Sequence, residues 1–369
     1  MSESYYSLGL MSGTSMDGLD TSIIYSNGTT KYEAISNKYF EYNKELYKDL
    51  TSIRDKIASS KDLKILQNEL KFIEKEITLF HVKAVNEIIR KSKANIDFIG
   101  FHGQTIFHNA KEKISEQLGD GDLLSRHTKK TVIYNFRQND LKNGGQGAPL
   151  TPIFHKLLTN KHKLKLPLTI LNIGGIANVT FIDVHDNMSS YDIGPGNCLI
   201  DQWIRINSKN NYDKDGKIAS LGKINKSILN QALKNFEHKV QDIHGPKSYD
   251  VKDFDLSFVR GLSLEDGAAT LTEYTSEILC NLAQNCTGED EDIIISGGGR
   301  KNKFLVKNIQ KKINSSVKLI DDLGVDGDFV ESQAFAYLAI RSYLNLPISL
   351  PETTGVCEPC TGGIIVKNF

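Results

Sequence analysis

The sequence predicts an α/β chain of two lobes, each built on a mixed five-stranded sheet and each opening with a glycine-rich hairpin. Three observations carry that expectation. Two apolar runs flank a small polar turn in "GLMSGTSMDGLDTSII" (residues 9–24), and the pattern starts again after Pro149 as "LTILNIGG" and "ANVTFIDV" around a Gly-Gly turn. In both halves the order strand, turn, strand, strand, helix leads to a further strand at whose end the chain turns. Between the sheets' strands lie helical stretches, and such alternation of strand and helix is the mark of α/β layering.

Taken in order, residues 5–11 and 19–25 form the two strands around the first turn, and "KYEAISNKYFEY" supplies a third, rich in β-branched and aromatic residues. Leu66, Leu70, Ile73, Ile77, Phe80, Ala84 and Ile88 then recur at spacings of three and four, the period of a helix with one buried face. "DFIGFHGQT" is a buried strand ending in a glycine turn, and "TVIYNF" is another strand. In the second half "SSYDIGPGN" is the third strand and "CLIDQWIRI" begins a helix. A helical block follows at about residues 263–284. Strand "DIIISGGG" leads into helix "NKFLVKNIQKKI", strand "VKLID" and the last long helix "ESQAFAYLAIRSYL". The expected division is residues 1–135 and 136–345, with 346–369 packing back on the first lobe.

Length agrees with two lobes: 369 residues are enough for roughly two domains, each with its own core. Hydrophobic and charged fractions of 39% and 24% are those of an ordinary soluble protein. Lysine plus arginine (45) equals aspartate plus glutamate (45), so no global charge points to nucleic acid or a membrane surface as partner. No basic start with a long apolar segment opens the chain, and no run approaches a membrane span, so a cytoplasmic location is expected. Five cysteines (Cys198, Cys280, Cys286, Cys357, Cys360) are too scattered for a disulfide framework. The "CEPC" pair has zinc or redox spacing without a second pair beside it, and is expected to be reduced and without function.

The glycine turns suggest a phosphate ligand. Backbone N–H donors can approach a phosphate where no Cβ stands in the way, hydroxyls add donors, and a carboxylate can hold hydrated magnesium. The segment Ser12, Gly13, Thr14, Ser15, Met16, Asp17, Gly18 meets the first two needs, and Asp17 or Asp20 the third. A second turn has Gly174 and Gly175. A third cluster, Gly297, Gly298 and Gly299, ends a strand and opens a helix, where backbone can lie against a base or ribose. Neither G-x-x-x-x-G-K-[ST] nor a strand followed by G-x-G-x-x-G occurs, so a P-loop and a dinucleotide fingerprint have no support.

These pieces together resemble the actin/hexokinase/Hsp70 class of ATP-binding proteins, of actin-like or ribonuclease H-like fold. More narrowly, "GLMSGTSMDGLD", "HGQT", "GGQGAPLTP", "NIGGIANVT", "DIGPGN" and "SGGG" resemble the anhydro-N-acetylmuramic acid kinase family over essentially the whole chain. The resemblance implies ATP and the amino sugar bound in an interlobe cleft. The implied reaction is hydrolytic opening of 1,6-anhydro-N-acetylmuramic acid with phosphorylation to N-acetylmuramic acid 6-phosphate, in peptidoglycan recycling. Where the family often has Asp-Phe-Arg, this chain has Asn135-Phe136-Arg137.

On that resemblance the γ-phosphate meets the Ser12–Ser15 turn, helped by Gly174 and Gly175, within the nucleotide-binding segment 12–18, while Gly297–Gly299 hold the adenosine side. Mg2+ sits with Asp17 or Asp20. Asp192 is the implied catalytic base that takes a proton from water, and Glu331 helps hold that water. His102, Gln104, Thr105 and Asn197 contact the sugar, and Arg137 pairs with its lactyl carboxylate. The sequence leaves room for a homodimer, for a kinase of another amino sugar without ring opening, and for a non-enzymatic actin-like ATP-binding protein.

Overall fold

A computed structural model of the chain describes residues 3–240, 248–284 and 292–369. The chain divides into two compact units, Met1–Lys163 with Asp328–Phe369, and Leu164–Gly327. The first unit begins with β1 (Tyr5–Ser12), β2 (Gly18–Ser26), β3 (Tyr32–Glu41), α1 (Lys44–Lys56), α2 (Ser60–Ile65) and α3 (Gln67–Ser92). It continues with β4 (Phe98–Asn109), β5 (Ile114–Leu118), α4 (Gly121–Thr128), β6 (Thr131–Tyr134), α5 (Arg137–Lys142) and α6 (Pro152–Lys161). The second unit holds β7 (Leu168–Ile173), β8 (Ile176–Ile182), β9 (Met188–Pro195), α7 (Cys198–Asn207), α8 (Lys226–Val240), α9 (Leu264–Gln284), β10 (Asp292–Ser296), α10 (Lys303–Lys312) and β11 (Val317–Leu319). The chain then returns to the first unit as α11 (Val330–Tyr343), α12 (Pro351–Thr354) and β12 (Ile364–Val366).

The two sheets share one plan. In the second, the order is β11-β10-β7-β8-β9: an antiparallel meander of three strands extended by two parallel ones. The first has the same core, β6-β4-β1-β2-β3, with β1–β2–β3 antiparallel and β1, β4 and β6 parallel. Five strands were expected in each. The second sheet has five, while β12 on the edge of β6 and β5 beside the far half of β4 bring the first to seven.

The expected boundaries at 135/136 and 345/346 differ from these units for a packing reason. Helix α11 lies directly on β1 and β4 because Gly9 and Gly100 carry no side chain there. A Cβ on Gly9 would come within 1.8 Å of the Ser332 carbonyl oxygen, and one on Gly100 within 2.2 Å of that of Phe335. Helix α11 is buried on almost every face, as a helix pressed against a sheet and covered by others must be. Helix α6 joins the same unit through Phe154, edge-on to Tyr32, and through Lys161, which donates to the Tyr32 carbonyl. Residues 346–369 pack on this unit through β12.

The helical period around residues 66–88 is α3, with Leu70, Ile73, Ile77, Ala84 and Ile88 buried. The strand expected to end at "HGQT" instead runs on to Asn109. Gly103, at a φ of +76°, absorbs an irregularity in the pairing of β4 with β1, so the chain kinks without leaving the sheet. In the second unit α7 crosses α9 closely: Gly267 of α9 sits against the ring of Trp203, whose indole N–H donates to the Leu264 carbonyl at 2.9 Å.

Candidate functional site

The turn between β1 and β2 is a five-residue cap with a buried peg and exposed hydroxyls. Met16 takes a left-handed backbone (φ +58°) and buries its side chain in the core of the first unit. Its thioether lies 3.8 Å from the Arg54 guanidinium. Thr14, Ser15 and Asp17 stay exposed. Ser15 Oγ donates to Asp17 Oδ1 at 2.6 Å, and Gln104 Nε2 donates to the Gly13 carbonyl at 3.0 Å. Gln104 Oε1 is buried with no hydrogen-bond partner. Gly18 is covered by the Tyr39 ring. Asp20, half-buried on β2, stands opposite Met11 of β1.

Gly13 is glycine for no reason internal to the fold. Its φ is not positive, and a Cβ there would meet nothing closer than Ser15 Oγ at 3.7 Å. Gly298 is the same, with open space around it. A backbone left bare without steric need leaves room for something that must come close to it. The neighbours of Gly298 differ. Gly297 has φ +77°, and a Cβ on it would fall 2.7 Å from the Ile173 carbonyl; one on Gly299 would fall 2.3 Å from the Ile173 side chain. These two glycines press the third cluster onto the end of β7. Arg300, buried beside them, donates to Gly297 O and, in bidentate fashion, to Asp321. Asp321 therefore stays below the ordinary aspartate range: burial opposes this, but the guanidinium's hydrogen bond and charge prevail.

The turn between β7 and β8 is held by backbone. The amide N–H groups of Gly196 and Cys198 donate to Gly175 O, and that of Asn197 to Gly174 O, at 2.8–3.1 Å. Asn197 Nδ2 adds bonds to Ile173 O and Gly174 O. The Asn197 amide is thus spent on the second hairpin, and its place in a sugar site remains a proposal. Asp192 lies on β9, 8% exposed, paired in register with Asn178 and accepting the Tyr249 N–H at 2.8 Å. Its proximity, after burial, helps push the Tyr249 phenol up to about 12.

Around "HGQT", His102 is almost wholly buried, its Nδ1–H donating to Gly103 O at 2.7 Å. Its Nε2 accepts from Arg137 Nη2 at 2.9 Å, which fixes the tautomer because a guanidinium can only donate. Burial first, and then the Arg137 charge, hold the imidazole well below its ordinary pKa, so it is neutral at pH 7. Both ring nitrogens are engaged within the first unit. Arg137 also donates to Gly147 O at 2.7 Å. Thr105 Oγ1 accepts from Gln117. Asn135 takes a left-handed backbone (φ +56°), a conformation Asn and Asp tolerate better than most residues. With His102, Glu116, Gln117 and Tyr134 it lines a cavity of about 190 Å3. Glu331, in the first turn of α11, is half-buried.

Sequence reasoning missed Tyr42, whose hydroxyl is hydrogen-bonded to Ser12 Oγ, and the Arg300–Asp321 pair. Neither has a local signal: Tyr42 looks like one more strand aromatic, and Asp321 lies 21 residues from its arginine. Among the described residues no group of three or more His, Cys, Asp or Glu is placed to hold a metal, and no helix is long and apolar enough to cross a membrane. Cys198, Cys280, Cys357 and Cys360 are free thiols; Cys286 lies outside the described residues.

Two mixed sheets of one strand order, each opening in a hairpin turn, make this an α/β fold of two units built on one repeated plan. The family model of anhydro-N-acetylmuramic acid kinase matches residues 5–368, and the chain belongs to that family. It is 53% identical to the anhydro-N-acetylmuramic acid kinase of Pelagibacter ubique (strain HTCC1062), covering 100% of both chains. To that of Zymomonas mobilis subsp. mobilis it is 37% identical, covering 97% of this chain and 98% of the relative. Among solved structures, (R)-2-hydroxyglutaryl-CoA dehydratase component A of Acidaminococcus fermentans superposes with a TM-score of 0.46 at 11% identity, over 92% of this chain and 99% of that one.

Proposed function

We propose that this kinase uses ATP to open and phosphorylate 1,6-anhydro-N-acetylmuramic acid in the cytoplasm, giving N-acetylmuramic acid 6-phosphate for cell-wall recycling. The observation that carries the nucleotide half is the bare backbone at Gly13 and Gly298, which nothing within the fold requires. Family membership carries the choice of sugar.

Phosphoryl transfer asks mainly for positioning and charge neutralisation. Ser12, Thr14 and Ser15 offer hydroxyls, and the backbone around Gly13 offers amides, to the terminal phosphates; in the second unit the corresponding turn carries Gly174 and Gly175. Gly297–Gly299 receive the adenosine side. Magnesium suits this donor set, since it keeps most of its water and takes one or two carboxylates with substrate phosphates. Asp17, with Asp20, would hold it, and it would neutralise the triphosphate charge.

Asp192 accepts a proton from water as the water oxygen bonds to C1 of the sugar. The C1–O6 bond breaks, and O6 takes the γ-phosphoryl group as the bond to the ADP oxygen breaks. The leaving oxygen and the phosphate acceptor are one atom, so each half of the reaction assists the other. The Tyr249 amide fixes how Asp192 points. Glu331 orients the water. The unpartnered Gln104 Oε1 and the Thr105 hydroxyl receive sugar hydroxyls, and Asn197 lies at the sugar's edge. His102 acts by holding Arg137, which faces the lactyl carboxylate.

Incubation with ATP, magnesium and the anhydro sugar in 18O-labelled water, followed by mass analysis, tests this. The expected product gains phosphate and one labelled oxygen at C1. Phosphate without label would overturn the ring opening and favour a plain amino-sugar kinase; no phosphate would overturn both.

A further inference from the structure

We infer that Tyr42 is a positioning residue for the phosphate turn, setting which way the Ser12 hydroxyl donates. The inference rests on the nucleotide reading above. Tyr42 directly follows β3 and closes the β1–β2 turn at both ends: its hydroxyl bonds Ser12 Oγ where the turn begins, and its main-chain N–H donates to Asp17 O at 2.9 Å where it ends. The ring is locked edge-on against Phe80, with centroids 4.8 Å apart, and the residue is 5% exposed.

Either hydroxyl of the pair can donate, and the placement proposed has the phenol as donor. Burial keeps the phenol protonated at any working pH. In that placement the phenol donates and the serine oxygen accepts. Ser12 then keeps its own proton, which no acceptor among the described residues claims. A buried serine with a committed lone pair and an uncommitted proton is a donor aimed by its neighbour, suited to a phosphate oxygen. Without the phenol, Ser12 becomes a free rotor that must be ordered when nucleotide binds.

The test compares Tyr42→Phe, Ser12→Ala and the double variant by KM for ATP, kcat, thermal midpoint and calorimetric binding of ADPNP. Tyr42→Phe keeps the ring packing and the N–H bond to Asp17. It should raise KM for ATP and weaken ADPNP roughly three- to tenfold, the worth of one net hydrogen bond. In the Ser12→Ala background the same change should add nothing, because Tyr42 acts through Ser12. Phe80→Leu serves as the packing control, lowering the midpoint without moving KM. Additive effects of the two changes, or a Tyr42→Phe protein that binds ADPNP like the parent, would overturn the inference. Failure of the parent itself to bind ADPNP would instead strike the nucleotide reading.

Discussion

The turn after β1 and the turn after β7 occupy the same place in two sheets of one strand order, yet different chemistry holds them. The first is gripped by side chains, Tyr42 and Gln104, with a methionine peg beneath it, and displays hydroxyls. The second is stitched by the backbone N–H groups of residues 196–198 and displays two glycines. Side-chain grips reach across 30 and 91 residues of sequence and are open to tuning, whereas a backbone stitch constrains shape alone. A repeated fold thus has one turn that displays hydroxyls and one braced by its neighbours' backbone.

The units also differ in how they meet acid, and this should be the largest measurable contrast. His81, His108 and His155 of the first unit are pushed down to about 4, each chiefly by burial, and His102 is held well below its ordinary value. Neutral in the fold but protonated once unfolded, each contributes stability that is complete above about pH 6.5 and is lost as pH falls toward 4. The loss at pH 5 is on the order of 2 kcal/mol for each of His81, His108 and His155. Glu74 and Glu116, raised by burial, act with the opposite sign and offset part of this. In the second unit the lowered groups among the described residues include Asp183, through Asn187, Asp292, through Lys318, and Asp321, through Arg300 against burial; their stability is lost only below about pH 3.8. The chain's single tryptophan, Trp203, is buried in the second unit and reports on it alone. Between pH 6 and 4, far-UV circular dichroism should fall while tryptophan emission holds. Simultaneous loss of both signals would break the contrast.

Asp192, the base proposed above, belongs to the second turn's side of the comparison. Asp192→Asn keeps an oxygen for the Tyr249 N–H, so thermal midpoint and ADPNP affinity should stay near those of the parent. Turnover should fall about 10²–10⁴-fold, the usual worth of a positioned base. Steady-state assay with anhydro sugar and ATP checks it. A drop in ADPNP affinity of the same size would move Asp192 from chemistry to binding.

Both hairpins were legible because local patterns specify them: apolar runs of strand composition on either side of small residues leave few alternatives. Helix α3 showed in its spacing for the same reason. The missing pieces are those that depend on distant partners. β12 exists as a strand because residues 364–366 find the edge of β6, more than 200 positions earlier. β5 follows from the irregular continuation of β4 past Gly103. Of the candidate site, glycines and hydroxyls stood out by composition, but the groups that hold them did not. Nothing in "YFEYNK" says that Tyr42 reaches Ser12, and nothing in "HGQT" says that its glutamine braces Gly13.

The glycines themselves offer the smallest and sharpest test, because adjacent positions are expected to fail differently. Gly297→Ala forces a side chain into φ +77° and against the Ile173 carbonyl and Asn172 Oδ1, and should cost about 1–3 kcal/mol of stability. Gly298→Ala and Gly13→Ala meet no such obstacle and should move stability by no more than about 0.5 kcal/mol. Their cost should appear only with nucleotide, as a roughly tenfold rise in KM for ATP, about 1.4 kcal/mol of lost approach. Thermal midpoints with and without ADPNP separate the two kinds of glycine in one experiment. If Gly298→Ala binds ADPNP like the parent while Gly13→Ala does not, the third cluster shapes only the second unit's fold, and the adenosine side must be sought elsewhere.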